Sequence, residues 1–150
     1  MGARDDIARL MKEAAASMKH DATGAVAKLA SAYALARASG DTDDTATVAE
    51  ALARGWARRG SAARSLYFAS KAAELSPDWK TAWTTLAKTS ELVASRSRGE
   101  GQRRRAAILY RTAASAFKEA AAMTKDPEDK RWLLELAGDA AQSAKAPRAS

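Results

Sequence analysis

The chain has 150 residues, 25 Lys or Arg against 18 Asp or Glu, a formal net charge of +7, one histidine and no cysteine. A chain this long is expected to form one domain with a real core, since folding at this size buries roughly 68–70% of the surface that an unfolded chain exposes. The lack of cysteine excludes a disulfide framework, a thiolate zinc site and a Cys nucleophile, and it suits a reducing compartment.

Alanine, leucine, lysine, arginine and glutamate dominate and no segment alternates as a strand would, so the expected fold class is all-α. The first residues carry Arg4, Asp5, Asp6, Arg9, Lys12 and Glu13, too many charges for a secretory signal, and Asp6 stands where a myristoylation motif wants Ser or Thr. No stretch approaches ~20 apolar residues, so no membrane insertion is expected, and the chain reads as cytoplasmic. Ile7, Leu10, Met11, Ala14 and Met18 fall at helical spacing, as do Val26, Leu29, Ala30 and Tyr33, which predicts two helices parting near His20-Asp21. Val48, Leu52 and Trp56 predict a third helix ending near 58–60, and Leu66, Ala69, Ala72 and Ala73 a fourth. Trp79, Trp83, Leu86 and Val93 belong to a fifth, Leu109, Ala113, Phe117 and Ala120 to a sixth, and Leu133, Leu136, Ala137 and Ala140 to a seventh. Seven helices with short joints predict an antiparallel array.

The array repeats. A shift of 34 residues lays Thr42-Asp43-Asp44 on Ser76-Pro77-Asp78 and Ala49, Leu52, Ala53 on Trp83, Leu86, Ala87. A further shift of 50 lays the same positions on Asp126-Pro127-Glu128 and on Leu133, Leu136, Ala137. At each start Thr42, Ser76 or Asp126 is expected to cap free N–H groups, Pro77 or Pro127 to occupy the first helical position, and Asp44, Asp78 or Glu128 to meet the positive helix end. Ala53, Ala87 and Ala137 are small enough to let a neighbouring helix approach.

These spacings resemble the tetratricopeptide repeat, a helix-turn-helix unit of 34 residues. Ala49, Leu52, Ala53 and Trp56 keep its first-helix spacing, followed by Ala72 and Pro77; Trp83, Leu86, Ala87 and Ser90 keep it again, with Ala113, Phe117 and Ala120 as the second-helix set. The first hairpin matches loosely, with Ala15 and Met18 in register but Lys19 where a small residue belongs. The resemblance implies hairpins over 4–39, 42–77 and 78–125, a terminal helix over 127–145 and a short tail at 146–150. The step from Trp83 to Leu133 exceeds the repeat by 16 residues, and the excess sits around "SRSRGEGQRRR" at 95–105. Either helices five and six are both lengthened by about two turns, or a loop is inserted. The last two helices are also similar to those of a microtubule-interacting and transport domain, which binds helical peptides.

Charge is concentrated in the middle: residues 54–111 hold 13 Lys or Arg against four acids, a net of +9. If the resemblance holds, the first helix of each unit lines a concave surface, which turns Arg54, Arg58 and Lys88 inward with Arg131 and Leu134 from the last helix. That arrangement suits an acidic or C-terminal peptide. The opposing reading is a solvated face of long cations lying over alanines. Some relatives clamp a terminal carboxylate with Lys and Asn, and this chain contains no Asn. A second group, Arg96, Arg98, Arg103, Arg104 and Arg105, can contact phosphates of a nucleic acid, although no aromatic is interleaved with them to stack on bases.

Trp56 and Trp83 occupy packing positions, whereas Trp79 and Trp132 lie just inside helix starts and can serve as interface anchors. An open array leaves its end helix, with Trp132, Leu133, Leu134 and Leu136, to be covered, and self-association through that end is one way to do so. His20 is the only histidine, the paired acids sit at helix starts, and no Walker, Rossmann or metalloprotease motif occurs. The expected protein is therefore a non-enzymatic scaffold or adaptor without cofactor or metal, with an acidic peptide as partner and nucleic acid as the alternative.

Overall fold

The computed structural model describes residues 2–145, so the expected tail at 146–150 lies outside the described residues. All seven expected helices form, and among the described residues there is no strand. The chain divides into two compact units, residues 1–77 and 78–150.

The first unit holds α1 (Ala3–Ser17), α2 (Ala22–Ser39), α3 (Thr42–Arg58) and α4 (Ala62–Leu75), each packed on the next along the chain. The joints follow local chemistry. Asp21 accepts the Gly24 amide at 2.9 Å to start α2, and Gly40, at φ +76°, ends it with its amide on the Arg37 carbonyl. α3 is capped by Asp41, whose carboxylate accepts the Asp44 amide at 2.9 Å. Thr42, expected to cap, is instead the first helical residue, because the preceding carboxylate already supplies the acceptor.

The joint at Pro77 also differs from expectation. The Ser76 amide still donates to the Ala72 carbonyl, and the Ser76 hydroxyl donates to Asp43 Oδ1 at 3.2 Å, tying the end of α4 to the start of α3. Held this way, residues 76–78 must turn before a new helix can begin. Pro77 lies in that turn rather than at a first helical position, and the next helix starts at Lys80 behind Trp79, without a side-chain cap. Pro127 does open its helix, with Asp126 Oδ1 accepting the Glu128 amide at 3.3 Å.

Small residues set the packing of the first unit. Ser65 of α4 is fully buried and donates to the Ala53 carbonyl of α3 at 2.6 Å, a contact open only where Ala53 lets the helices close. Gly55 plays the same part toward α2, for a Cβ there would lie 2.9 Å from Val26 Cγ2. Val26, Leu29, Val48 and Leu52 fill the core between them, with Trp56 and Phe68 packed against it.

The second unit holds α5 (Lys80–Gly99), α6 (Arg103–Ala122) and α7 (Pro127–Lys145), with α6 packed on both neighbours. Residues 95–99 and 103–105 are helix, and the longer helices account for nine of the 16 excess residues. α5 and α6 have 20 residues each, against 17 and 14 for α3 and α4, and residues 100–102 make a connection as short as that at 59–61. Gly101, at φ +80°, allows this tight turn, and the Gln102 amide donates to the Ser97 carbonyl at 2.8 Å. Phe117 is the largest fully buried side chain here, among the alanines of α6. Arg98 pins the unit's end: its guanidinium lies 4.7 Å from the Tyr110 ring centroid of α6 and donates to the Ser143 carbonyl of α7.

Candidate partner-binding surface

In the first unit α1, α2 and α3 enclose an open recess of about 380 Å³. Met11, Ala14, Ala15 and Met18 of α1, Leu29 of α2 and Ala51 of α3 give it an apolar floor, and Lys19, Arg54 and Arg58 stand at its edge. Arg54 and Arg58 are one turn apart on α3, so both reach the same side. Arg54 Nε bonds Glu50 Oε2 at 2.8 Å, which fixes a mostly exposed guanidinium against a buried carboxylate. Lys19 and Arg58 form no ion pair among the described residues, and no acid lines the recess. An apolar floor under such an edge suits a segment that combines an apolar side chain with carboxylates.

Of the four residues expected to hold a peptide, the structure brings Arg54 and Arg58 together. Lys88 on α5 and Arg131 on α7 are exposed residues of the second unit. Thr47 and Thr84 spend their hydroxyls on their own helices, donating to the Asp43 and Lys80 carbonyls. Partial burial raises the Glu91 carboxyl above its ordinary value, and the Asp139 carboxylate pushes it further in the same direction. Lys19, Met11 and Met18 line the recess although the sequence pointed to none of them as a binding residue. The signal was present at Lys19, a cation where the repeat wants a small residue.

The second arginine group gathers at one end of the α5–α6 hairpin, with Arg96 and Arg98 in the last turn of α5 and Arg103, Arg104 and Arg105 in the first turn of α6. Arg98 is engaged within the protein, as described above. The start of α6 has no side-chain cap and no acid in its first turn, so three arginines adjoin the positive end of the helix. Trp132 and Leu134, 60% and 46% exposed, flank buried Leu133 on α7. Trp79 is half-buried at the start of α5. Among the described residues no group of His, Asp and Glu could hold a metal ion, and no helix is long and apolar enough to cross a membrane.

The arrangement of helical hairpins is that of a tetratricopeptide-like repeat array. Its likeness to a solved structure is direct: the tetratricopeptide repeat domain of Sgt2 from Aspergillus fumigatus superposes with a TM-score of 0.60 over 96% of this chain and 86% of that one, at 16% sequence identity. No protein-family model matches the chain, and no curated protein matches it in sequence.

Proposed function

We propose that this chain is a non-enzymatic interaction module, an adaptor or scaffold that binds an acidic protein segment. The observation that carries the reading is the recess of the first unit, with an apolar floor edged by Lys19, Arg54 and Arg58 and lined by no acid. The fold supports it as well, because helical-hairpin repeats offer extended surfaces to protein partners. A contribution of Lys88 and Arg131 from the second unit, and the working of both units as one domain, belong to the proposal. The absence of cysteine agrees with a cytoplasmic setting.

One observation favours a second reading, in which the chain associates with nucleic acid through Arg96, Arg103, Arg104 and Arg105. Three arginines in the first turn of α6, a turn that holds no acid, are the kind of feature that attracts phosphates. Charge reversal separates the two. Changing Arg54, Arg58 and Lys88 to Glu abolishes capture of an acidic partner under the first reading, while changing Arg103, Arg104 and Arg105 does so under the second, where nuclease treatment also releases the partner. A partner retained by both sets of variants contradicts both readings.

A further inference from the structure

The first unit has a second cavity, of about 320 Å³, whose lining shares no residue with the recess. It opens between the end of α2, the start of α3 and the face of α4, lined by Tyr33, Arg37, Thr45, Tyr67, Lys71 and Leu75 among others. Two tyrosines form its walls. Both stand edge-on to Phe68, at centroid distances of 5.3 and 5.1 Å, so the three rings brace one another. Each tyrosine also carries a cation over its face: the Arg37 guanidinium is 5.9 Å from the Tyr33 centroid and the Lys71 ammonium is 5.7 Å from that of Tyr67. Both cations thus lie beside the rings that line the cavity.

The donors of this cavity are largely unspent. The Arg37 guanidinium has no ion pair or hydrogen bond among the described residues, and neither phenol hydroxyl bonds to another of them. Lys71 has only an exposed carboxylate, Glu74, at 3.7 Å, a pair that contributes little. The acids at the start of α3 are occupied elsewhere, Asp41 with the Asp44 amide, Asp43 with the Ser76 hydroxyl and Asp44 with Arg4. No acid lines the cavity. Two cations and two phenol O–H donors therefore face one small space whose remaining walls are ring and aliphatic surface.

We propose that this cavity binds a small aromatic anion, a ring carrying phosphate or carboxylate. The charge selects the anion, because guanidinium and ammonium donate without accepting and a phenol O–H can donate beside them. The walls select the ring, since an inorganic anion would leave the exposed face of Tyr67 and the Leu75 side chain wet. The volume lies at the small end of ligand sites, which admits one ring and its charged group. The ring can belong to a free metabolite or to a phosphorylated tyrosine side chain, which present the same chemistry.

The test uses the full chain, with amide NMR titrations of phenyl phosphate, inorganic phosphate, phenol and a short phosphotyrosine peptide. Phenyl phosphate is expected to shift the resonances of Arg37, Thr45, Tyr67 and Lys71 saturably, and to bind at least about tenfold more tightly than inorganic phosphate or phenol. Joint replacement by Arg37→Gln and Lys71→Gln should weaken it at least about tenfold, the loss expected for a charged hydrogen bond. Tyr67→Phe, which removes one exposed hydroxyl, should weaken it with helicity unchanged, and decides the matter if the double variant unfolds. Tighter binding of the peptide assigns the ligand to a protein side chain, and tighter binding of phenyl phosphate assigns it to a metabolite. The proposal is overturned if phenyl phosphate binds no better than inorganic phosphate, if its shifts centre on Arg54, Arg58 or Arg103–Arg105, or if the variants leave affinity unchanged.

Discussion

Gly55→Ala tests the packing that shapes the recess. In an ordinary helix interior this substitution stabilises by about 1 kcal/mol, because alanine loses less backbone entropy than glycine. At Gly55 the new Cβ would stand 2.9 Å from Val26 Cγ2 and 3.3 Å from Met18 Cε. Met18 can bend away, but Val26 is 4% exposed and β-branched, with essentially one rotamer open to it in a helix. Overpacking of this kind costs about 1–3 kcal/mol, so the net result is a loss of about 1 kcal/mol. Gly138 of α7 is the matched control, since a Cβ there meets nothing within 4 Å. Gly138→Ala should therefore gain about 0.5–1 kcal/mol. Urea melts followed by circular dichroism give both values on one scale. If Gly55→Ala is as stabilising as Gly138→Ala, the close approach of α2 to α3 is refuted. The displaced Met18 methyl belongs to the recess floor, so Gly55→Ala should also weaken partner binding, whereas Gly138→Ala leaves it unchanged.

Further outcomes follow from single groups. The Ser90 hydroxyl is fully buried without a hydrogen-bond partner among the described residues, so Ser90→Ala should stabilise by about 1 kcal/mol in the same melts, and destabilisation would count against the packing of α5. Glu91 has its carboxyl raised above 4.5 by burial and then by Asp139, so between the unfolded and folded values the native state holds a proton there that the unfolded state has lost. This group's contribution to stability falls as pH rises from the unfolded value through the folded one and stays low above it. Glu91→Gln should thus raise the melting temperature at neutral pH, with the gain fading below about pH 4.5; an equal gain at every pH contradicts the assignment. If α7 mediates self-association, Trp132→Ser with Leu134→Ser lowers the solution mass at micromolar concentration, and a monomeric parent chain argues against it.

The helices were legible because alanine and leucine recur at 3.6-residue spacing and because charge or glycine marks each joint. The excess at 95–105 could be placed but not resolved, since helix and loop are both consistent with arginines, and only the positive φ of Gly101 shows how few residues the turn needs. Capping was misread by one residue at Asp41 and by more at Pro77. There the deciding contact, Ser76 to Asp43, joins residues far apart in the chain. The recess was half legible. Arg54 and Arg58 stood out by their charge on one helix face, whereas Met11, Met18 and Lys19 join them only through the packing of α1 on the rest of the first unit. Arg98 looked like a phosphate contact by composition, and its place on Tyr110 and the Ser143 carbonyl depends on tertiary structure.

The recess carries its own reporters. Met11 and Met18 lie in its floor and Met123 caps the end of α6 in the second unit, so the methyl resonances of methionine-labelled protein distinguish the site from the rest of the chain. Titration with a peptide that places a leucine beside two glutamates should shift the Met11 and Met18 methyls and leave Met123 in place. Arg54→Glu with Arg58→Glu should abolish those shifts. Shifts confined to Met123, or binding unaltered by the double charge reversal, would contradict the assignment of the recess as the partner site.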